Sequence, residues 1–133
     1  MSDLNRVTVR QVMRAEVTEV DGSIDVMEAM RIMKLVGATS LIVKKRHEQD
    51  EYGMLQFSDI AKQVIAKDRA PERVNVYEIM AKPVVTVRPE MNIRHCARLF
   101  EKFGISHAPV VEHENVVGVV SYYLLVLGSL NLD

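Results

Sequence analysis

The sequence predicts a mixed α/β fold made of two β-α-β-β-α repeats, and three observations carry that prediction. First, sliding the 133-residue chain against itself by 67 positions aligns residues 12–43 with 79–110 without a gap. Only six of the 32 pairs are identical (Met13/Met80, Val17/Val84, Val20/Val87, Arg31/Arg98, Gly37/Gly104 and Val43/Val110), but the apolar pattern agrees far better. Eighteen and 16 apolar positions placed independently would coincide at 9 of 32 pairs, and 14 coincide. Second, the hydrophobic period switches between strand-like and helix-like in the same order in both copies. Third, 48% hydrophobic and 26% charged residues is ordinary globular composition, which excludes disorder and collagen-like repeats.

The elements follow in order. Residues 17–20, matched by 84–87, read as a short β-branched strand. The next stretch has its apolar residues at a spacing of three and four: Val26, Ala29, Met30, Met33 and Val36 in copy one, and Ile93, Cys96, Ala97, Phe100 and Phe103 in copy two. That spacing makes one face of a helix. Asp25, with Glu28 three residues on, and Asn92 stand where an N-cap is required, and Gly37 and Gly104 where a left-handed C-cap would end each helix. A second strand is expected at 39–43 and 106–110. A polar loop follows, nine residues over 44–52 and seven over 111–117. Third strands begin at Gly53 and Gly118 and lead into closing helices at about 58–66 and 122–130. The crossover between the first two strands is long enough for a helix joining parallel strands, and the loop before the third suits an antiparallel return.

The organisation is therefore repeat 1 at 7–67, a charged linker with a proline at 68–73, and repeat 2 at 74–130. A unit of about 60 residues is marginal alone. The copies are expected to pack on each other about a pseudo-twofold axis and leave two related clefts.

Charge narrows the function. The chain carries 17 basic and 18 acidic side chains, with 9 and 10 of them in residues 1–66 and 8 of each in 67–133. Neither half offers the basic face that nucleic-acid polymers need, and there is no Trp to act as a stacking platform. A single cysteine excludes an internal disulfide and a multi-Cys zinc site, which fits a reducing, cytoplasmic setting. Cys96 lies on the apolar helix stripe and reads as a core thiol. The N-terminal six residues have no signal-like apolar region, and no apolar run approaches the ~20 residues of a membrane span. Lys44, Lys45 and Arg46 read as a solvated loop tip rather than a polyphosphate-steering patch. His113 between Glu112 and Glu114 is not read as a metal site.

In order and at these spacings, three segments resemble the CBS (cystathionine-β-synthase) domain family, as a tandem pair or Bateman module. They are residues 79–87, 103–111 and 117–121, answered in copy one by 12–13, 36–43 and 53–59. The resemblance covers about residues 7–127. It implies a regulatory sensor with no catalytic residues, no metal and no required cofactor. The implied ligand is an adenosyl compound such as AMP, ADP, ATP, S-adenosylmethionine or NAD, held between the repeats.

It further implies that Thr18 and Val84 of the first strands, with Thr39, Ser106, His107 and Pro109 around the second, hold the base, sugar or phosphate. A Ser/Thr-x-x-Asp segment at the end of the third strand would bring its Asp to the ribose hydroxyls. Both copies depart from that segment: Gln56 replaces the hydroxyl before Asp59, and Ser121 is followed by Leu124 in place of the acid. At most one full ribose site is expected, around Asp59. Two bland readings stand beside these roles: Asp59 as an acid in the first turn after Ser58, and Ser106 with His107 as a satisfied polar pair at a strand edge. Pro109 reads as a strand-edge or bulge device. The closing helix, apolar all round over 122–127, reads as an interface, and the resemblance implies a homodimer through terminal helices, the alternative being burial within one chain. The regulated partner protein is unknown from sequence.

Overall fold

The 67-residue register reappears as two small sheets of one plan. The computed structural model describes residues 6–130. In chain order the first elements are α1 (Val9–Val12), β1 (Glu19–Val20), α2 (Val26–Val36), β2 (Ser40–Val43), β3 (Gly53–Gln56) and α3 (Phe57–Ile60), which continues as a π-helical turn, Ala61–Ile65. A 3-10 turn (Pro71–Arg73) and α4 (Val76–Ile79) follow, then α5 (Ile93–Phe103), β4 (His107–Glu112), β5 (Asn115–Ser121) and α6 (Tyr122–Gly128). Among the described residues no helix is long and apolar enough to cross a membrane.

The chain forms two compact units, Thr18–Val84 and the described parts of Met1–Val17 with Val85–Asp133. Their boundaries differ from those of the sequence repeats. Each unit combines the sheet and crossover helix of one repeat with the leading segment of the other.

In the Thr18–Val84 unit, β1 runs parallel to β2 (Val20↔Val43) and β2 antiparallel to β3 (Ser40↔Gln56, Val43↔Gly53). The leading segment of the second repeat closes the outer edge of β3 through Met54↔Ala81. The stripe of α2 covers the sheet: Val26 and Ala29 are fully buried and Met33 nearly so, against Leu41, Leu55, Val64 and Val76. The segment expected as a linker, 68–73, packs within this unit, its 3-10 turn against α2.

The other unit repeats the plan. β4 pairs antiparallel with β5, Arg14↔Val119 closes the outer edge of β5, and Val87↔Val110 supplies the parallel neighbour of β4. Its core is Val9, Cys96, Phe100, Ala108, Val110 and Val120, all fully buried. The two edge bridges are equivalent in the repeat register: Arg14 plus 67 is 81, and Val119 minus 65 is 54.

The helix ends behave as their residues require. Asp25 accepts the Glu28 N–H at 2.9 Å and Asn92 the His95 N–H at 2.8 Å. Gly37 and Gly104 end α2 and α5 at φ 69° and 64°, the left-handed region that costs other residues about 1–2 kcal/mol.

Four expectations are corrected. The first strand of copy two shrinks to the single Val87 bridge, because Pro109 stands in β4 where Ile42 stands in β2 and has no N–H to give the Val85 carbonyl as Ile42 gives its own to Thr18. The seven-residue loop before the third strand becomes a two-residue turn, His113 and Glu114 at φ 51° and 68°, with a bulge between Val110 and Val111 lengthening the hairpin. His-Glu lacks the Asn-Gly signal of such turns, so the sequence hid it. The closing helix of copy one starts at Phe57 with Gln56 as its cap, not after Ser58. Val36 and Phe103, expected in the core stripe, are 41% and 53% exposed, each being the last helical residue before its left-handed glycine.

Candidate functional site

The end of each third strand caps the helix that follows it, with a capping box in one unit and a single hydroxyl cap in the other. In the Thr18–Val84 unit, the Asp59 carboxylate reaches back and accepts the Gln56 N–H at 2.8 Å. In the other unit the hydroxyl survives instead: Ser121 Oγ accepts the Leu124 N–H at 3.2 Å, and Leu124 packs against the core. The two broken segments noted in the sequence thus cap their helices differently, by a Gln56–Asp59 box in one unit and by the Ser121 hydroxyl alone in the other. The Asp59 cap leaves one carboxylate oxygen without a hydrogen bond among the described residues, and the Ser121 cap engages the single hydroxyl oxygen.

Asp59 is half-buried, and its second carboxylate oxygen makes no hydrogen bond among the described residues. Burial pushes its carboxyl above the ordinary value, against the opposing pull of the Gln56 N–H and the Lys62 ammonium. Thr39 and Gln56 lie at the same end of the sheet: Ser40 pairs with Gln56, and the Thr39 carbonyl accepts the Phe57 N–H at 3.3 Å. Thr18 also starts its strand there, its carbonyl accepting the Ile42 N–H at 3.0 Å. Val84 is half-buried at the chain end of this unit and makes no hydrogen bond to these residues.

In the other unit the equivalent end gathers Ser106, His107 and Ser121. The Ser106 carbonyl accepts the Tyr122 N–H at 3.2 Å, the counterpart of Thr39 and Phe57. Ser106 Oγ lies 3.0 Å from His107 Nδ1, and burial lowers the imidazole below its ordinary value. Pro109 is buried within β4, paired with Val119, and its carbonyl accepts the Val87 N–H at 3.0 Å. Ser121 is 8% exposed with its hydroxyl engaged in the cap. Cys96 is fully buried and desolvation pushes its thiol up to about 11.

The sequence reading missed one group, a depression at the opposite end of the β1–β2–β3 sheet, where Lys44 and Arg46 meet Tyr77 and Lys82. No local signal joins residues more than thirty positions apart.

A family model described as the CBS domain matches residues 76–126. The CBS domain-containing protein YhcV of Bacillus subtilis is 30% identical over 117 residues, which are 86% of this chain and 79% of that protein. A homoserine O-acetyltransferase of Methanosalsum zhilinae is 35% identical over 118 residues, 88% of this chain but 23% of that protein. Two further relatives are spanned to 60% and 63% of their length, so the chain corresponds to part of several curated relatives. Among solved structures, a hexameric CBS-CP12 protein from bloom-forming cyanobacteria is 38% identical with a TM-score of 0.88, covering 90% of this chain and 69% of that one. A CBS domain pair in complex with 5-methylthioadenosine and S-adenosyl-L-methionine is 25% identical with a TM-score of 0.78, covering 91% and 98%.

Proposed function

The chain belongs to the CBS domain family, and from that premise we propose that it is a regulatory module whose ligand is an adenosyl compound held at the Asp59 end of the β1–β2–β3 sheet. The observation that carries this reading is the Asp59 carboxylate, half-buried and fixed through one oxygen by the Gln56 N–H. Its other oxygen has lone pairs for both hydroxyls of a ribose diol, and Thr39 and Gln56 add polar groups beside it. The relative crystallised with methylthioadenosine and S-adenosylmethionine supports the adenosyl class. AMP, ADP, ATP, S-adenosylmethionine and NAD share the diol and are the candidates.

Regulation would work by differential affinity: the ligand stabilises one arrangement of the chain, and a partner reads that arrangement. The proposal extends to a cytoplasmic homodimer formed through the closing helices, supported by Tyr123, Val126 and Leu130 standing 70%, 61% and 74% exposed in one chain. Where the chain resembles a quarter of an acetyltransferase, we assign the shared part a regulatory and not a catalytic role. Among the described residues, no hydroxyl or thiol hydrogen-bonded to a base stands at the Asp59 end.

Thermal-shift titration with each candidate tests the reading, since a ligand at about 100 times its Kd adds about 2.7 kcal/mol of stability. A shift that Asp59→Ala weakens and Leu124→Ala leaves alone is expected. No shift at saturation with any candidate would sink the proposal. It would favour the second reading, a dimerisation scaffold that lost its ligand, for which Gln56 and Leu124 in the ribose segments speak.

A further inference from the structure

We propose that the depression at the end of the β1–β2–β3 sheet opposite Asp59 binds a small organic anion, an aromatic body carrying a phosphate monoester. The depression is about 510 Å³, within the size range of small-molecule sites and larger than inorganic phosphate needs. Its floor is apolar: Gly22, Met80 and Val43, the last only 2% exposed, with the Tyr77 ring alongside. Its rim is Lys44, Arg46 and Lys82.

The rim is arranged rather than loose. Asp50, whose side chain is 7% exposed, accepts from Arg46 Nε at 3.2 Å and receives Lys82 Nζ on both oxygens at 2.8 and 2.9 Å. One carboxylate thereby orients two cations. Lys82 keeps a third N–H, and the Arg46 Nη groups make no hydrogen bond among the described residues. Lys44 and Asp21 both line the depression, and the Asp21 carboxylate accepts the Ser23 N–H at 2.9 Å. Three cations against two carboxylates leave one positive charge in excess, beside an apolar floor.

The fold position alone does not produce this. The other unit has a depression in the equivalent place, about 430 Å³, but it is lined by Glu90, Glu112 and Glu114 with Arg88 and His113. In the repeat register Lys44 becomes Val111, Lys82 becomes Ala15, and Tyr77 becomes Arg10, which is paired to Glu112. The anion site is a property of one unit, and its acidic counterpart serves as an internal control.

The test is an NMR titration of the full ¹⁵N-labelled chain with phenyl phosphate, inorganic phosphate and phenol. Saturable shifts are expected at Gly22, Lys44 and Tyr77 with phenyl phosphate, weaker ones with inorganic phosphate or phenol alone, and none at residues 111–114. Lys44→Met should weaken phenyl phosphate about tenfold, the scale of one charge-assisted hydrogen bond. Lys44 is exposed and supports no core contact, so its melting temperature should hold; Tyr77→Ala, at a 58% exposed ring, is the second variant. Absence of saturable shifts, shifts unchanged in both variants, or shifts centred on Gln56 and Asp59 would each overturn the proposal. None of these outcomes depends on whether an adenosyl ligand binds at Asp59.

Discussion

Asp59 is a helix-start acceptor and, on the proposed reading, the ribose acceptor, and a single substitution can separate the two roles. As a helix-start acceptor it makes one hydrogen bond, worth about 0.5–1.5 kcal/mol, which Asp59→Ala should remove in urea denaturation. Asp59→Asn keeps an acceptor and should lose most ligand-induced stabilisation while losing little intrinsic stability. The pH dependences oppose each other. Because burial raises the folded carboxyl above its unfolded value, the linked stability is present below the unfolded pKa and is lost as pH rises through the folded one. Ribose needs the carboxylate, so ligand affinity should rise over the same interval. Melting curves with and without ligand across the carboxylate range would show both trends, and Asp59→Asn should flatten both. His107 acts with the opposite sign: burial depresses its pKa, so its contribution is present above the ordinary histidine value and lost as pH falls through the folded one. His107→Gln should erase that acid-side loss, and an unchanged acid limb in its pH-stability profile would refute the assignment.

The helices of the two repeats are set by their ends as much as by their stripes. Gly37 and Gly104 have open space where a Cβ would go, so an alanine there meets no neighbour and its cost is conformational. Gly37→Ala and Gly104→Ala should each destabilise by about 1–2 kcal/mol in chemical denaturation. Asn92→Ala should cost about 1 kcal/mol through the lost His95 cap. These sites were legible because a cap demands a particular residue at one place. The π turn after Ile60 was not, since Ala-Lys-Gln-Val-Ile reads as plain helix and the added residue per turn is imposed by packing.

At the scale of the molecule, the third-strand glycines admit the leading segments. A Cβ on Gly118 would lie 2.5 Å from Met13 Sδ and 2.9 Å from the Arg14 carbonyl; on Gly53 it would lie 2.7 Å from Met80 Sδ and 3.3 Å from the Ala81 carbonyl. The Met13/Met80 identity and the paired glycines thus share one cause, the close approach of each leading segment to the third strand. A sulfur can move and a backbone carbonyl cannot. Gly53→Ala should therefore be rescued largely by Met80→Ala, while Gly118→Ala, costing about 1–3 kcal/mol, should be rescued only in part by Met13→Ala. Equal rescue by both, measured as Tm, would contradict this account. Deleting the chain through Val17 removes fully buried Val9 and uncovers the edge of β5, and should lower Tm more than either glycine variant.

The sequence by itself determined the repeat, the crossover helices and the strands that flank them, the helix caps, and the asymmetry between Asp59 and Leu124, because each is written in residues close together or in a fixed register; it did not show the short leading helices Val9–Val12 and Val76–Ile79. Tertiary structure alone decided which unit each leading segment joins, and which distant cations share Asp50. Hydrophobic patterning states that a segment must be buried; it does not say against which of two similar sheets. Nor does net charge reveal that Lys82 and Arg46 converge on one carboxylate from positions 36 residues apart in the chain.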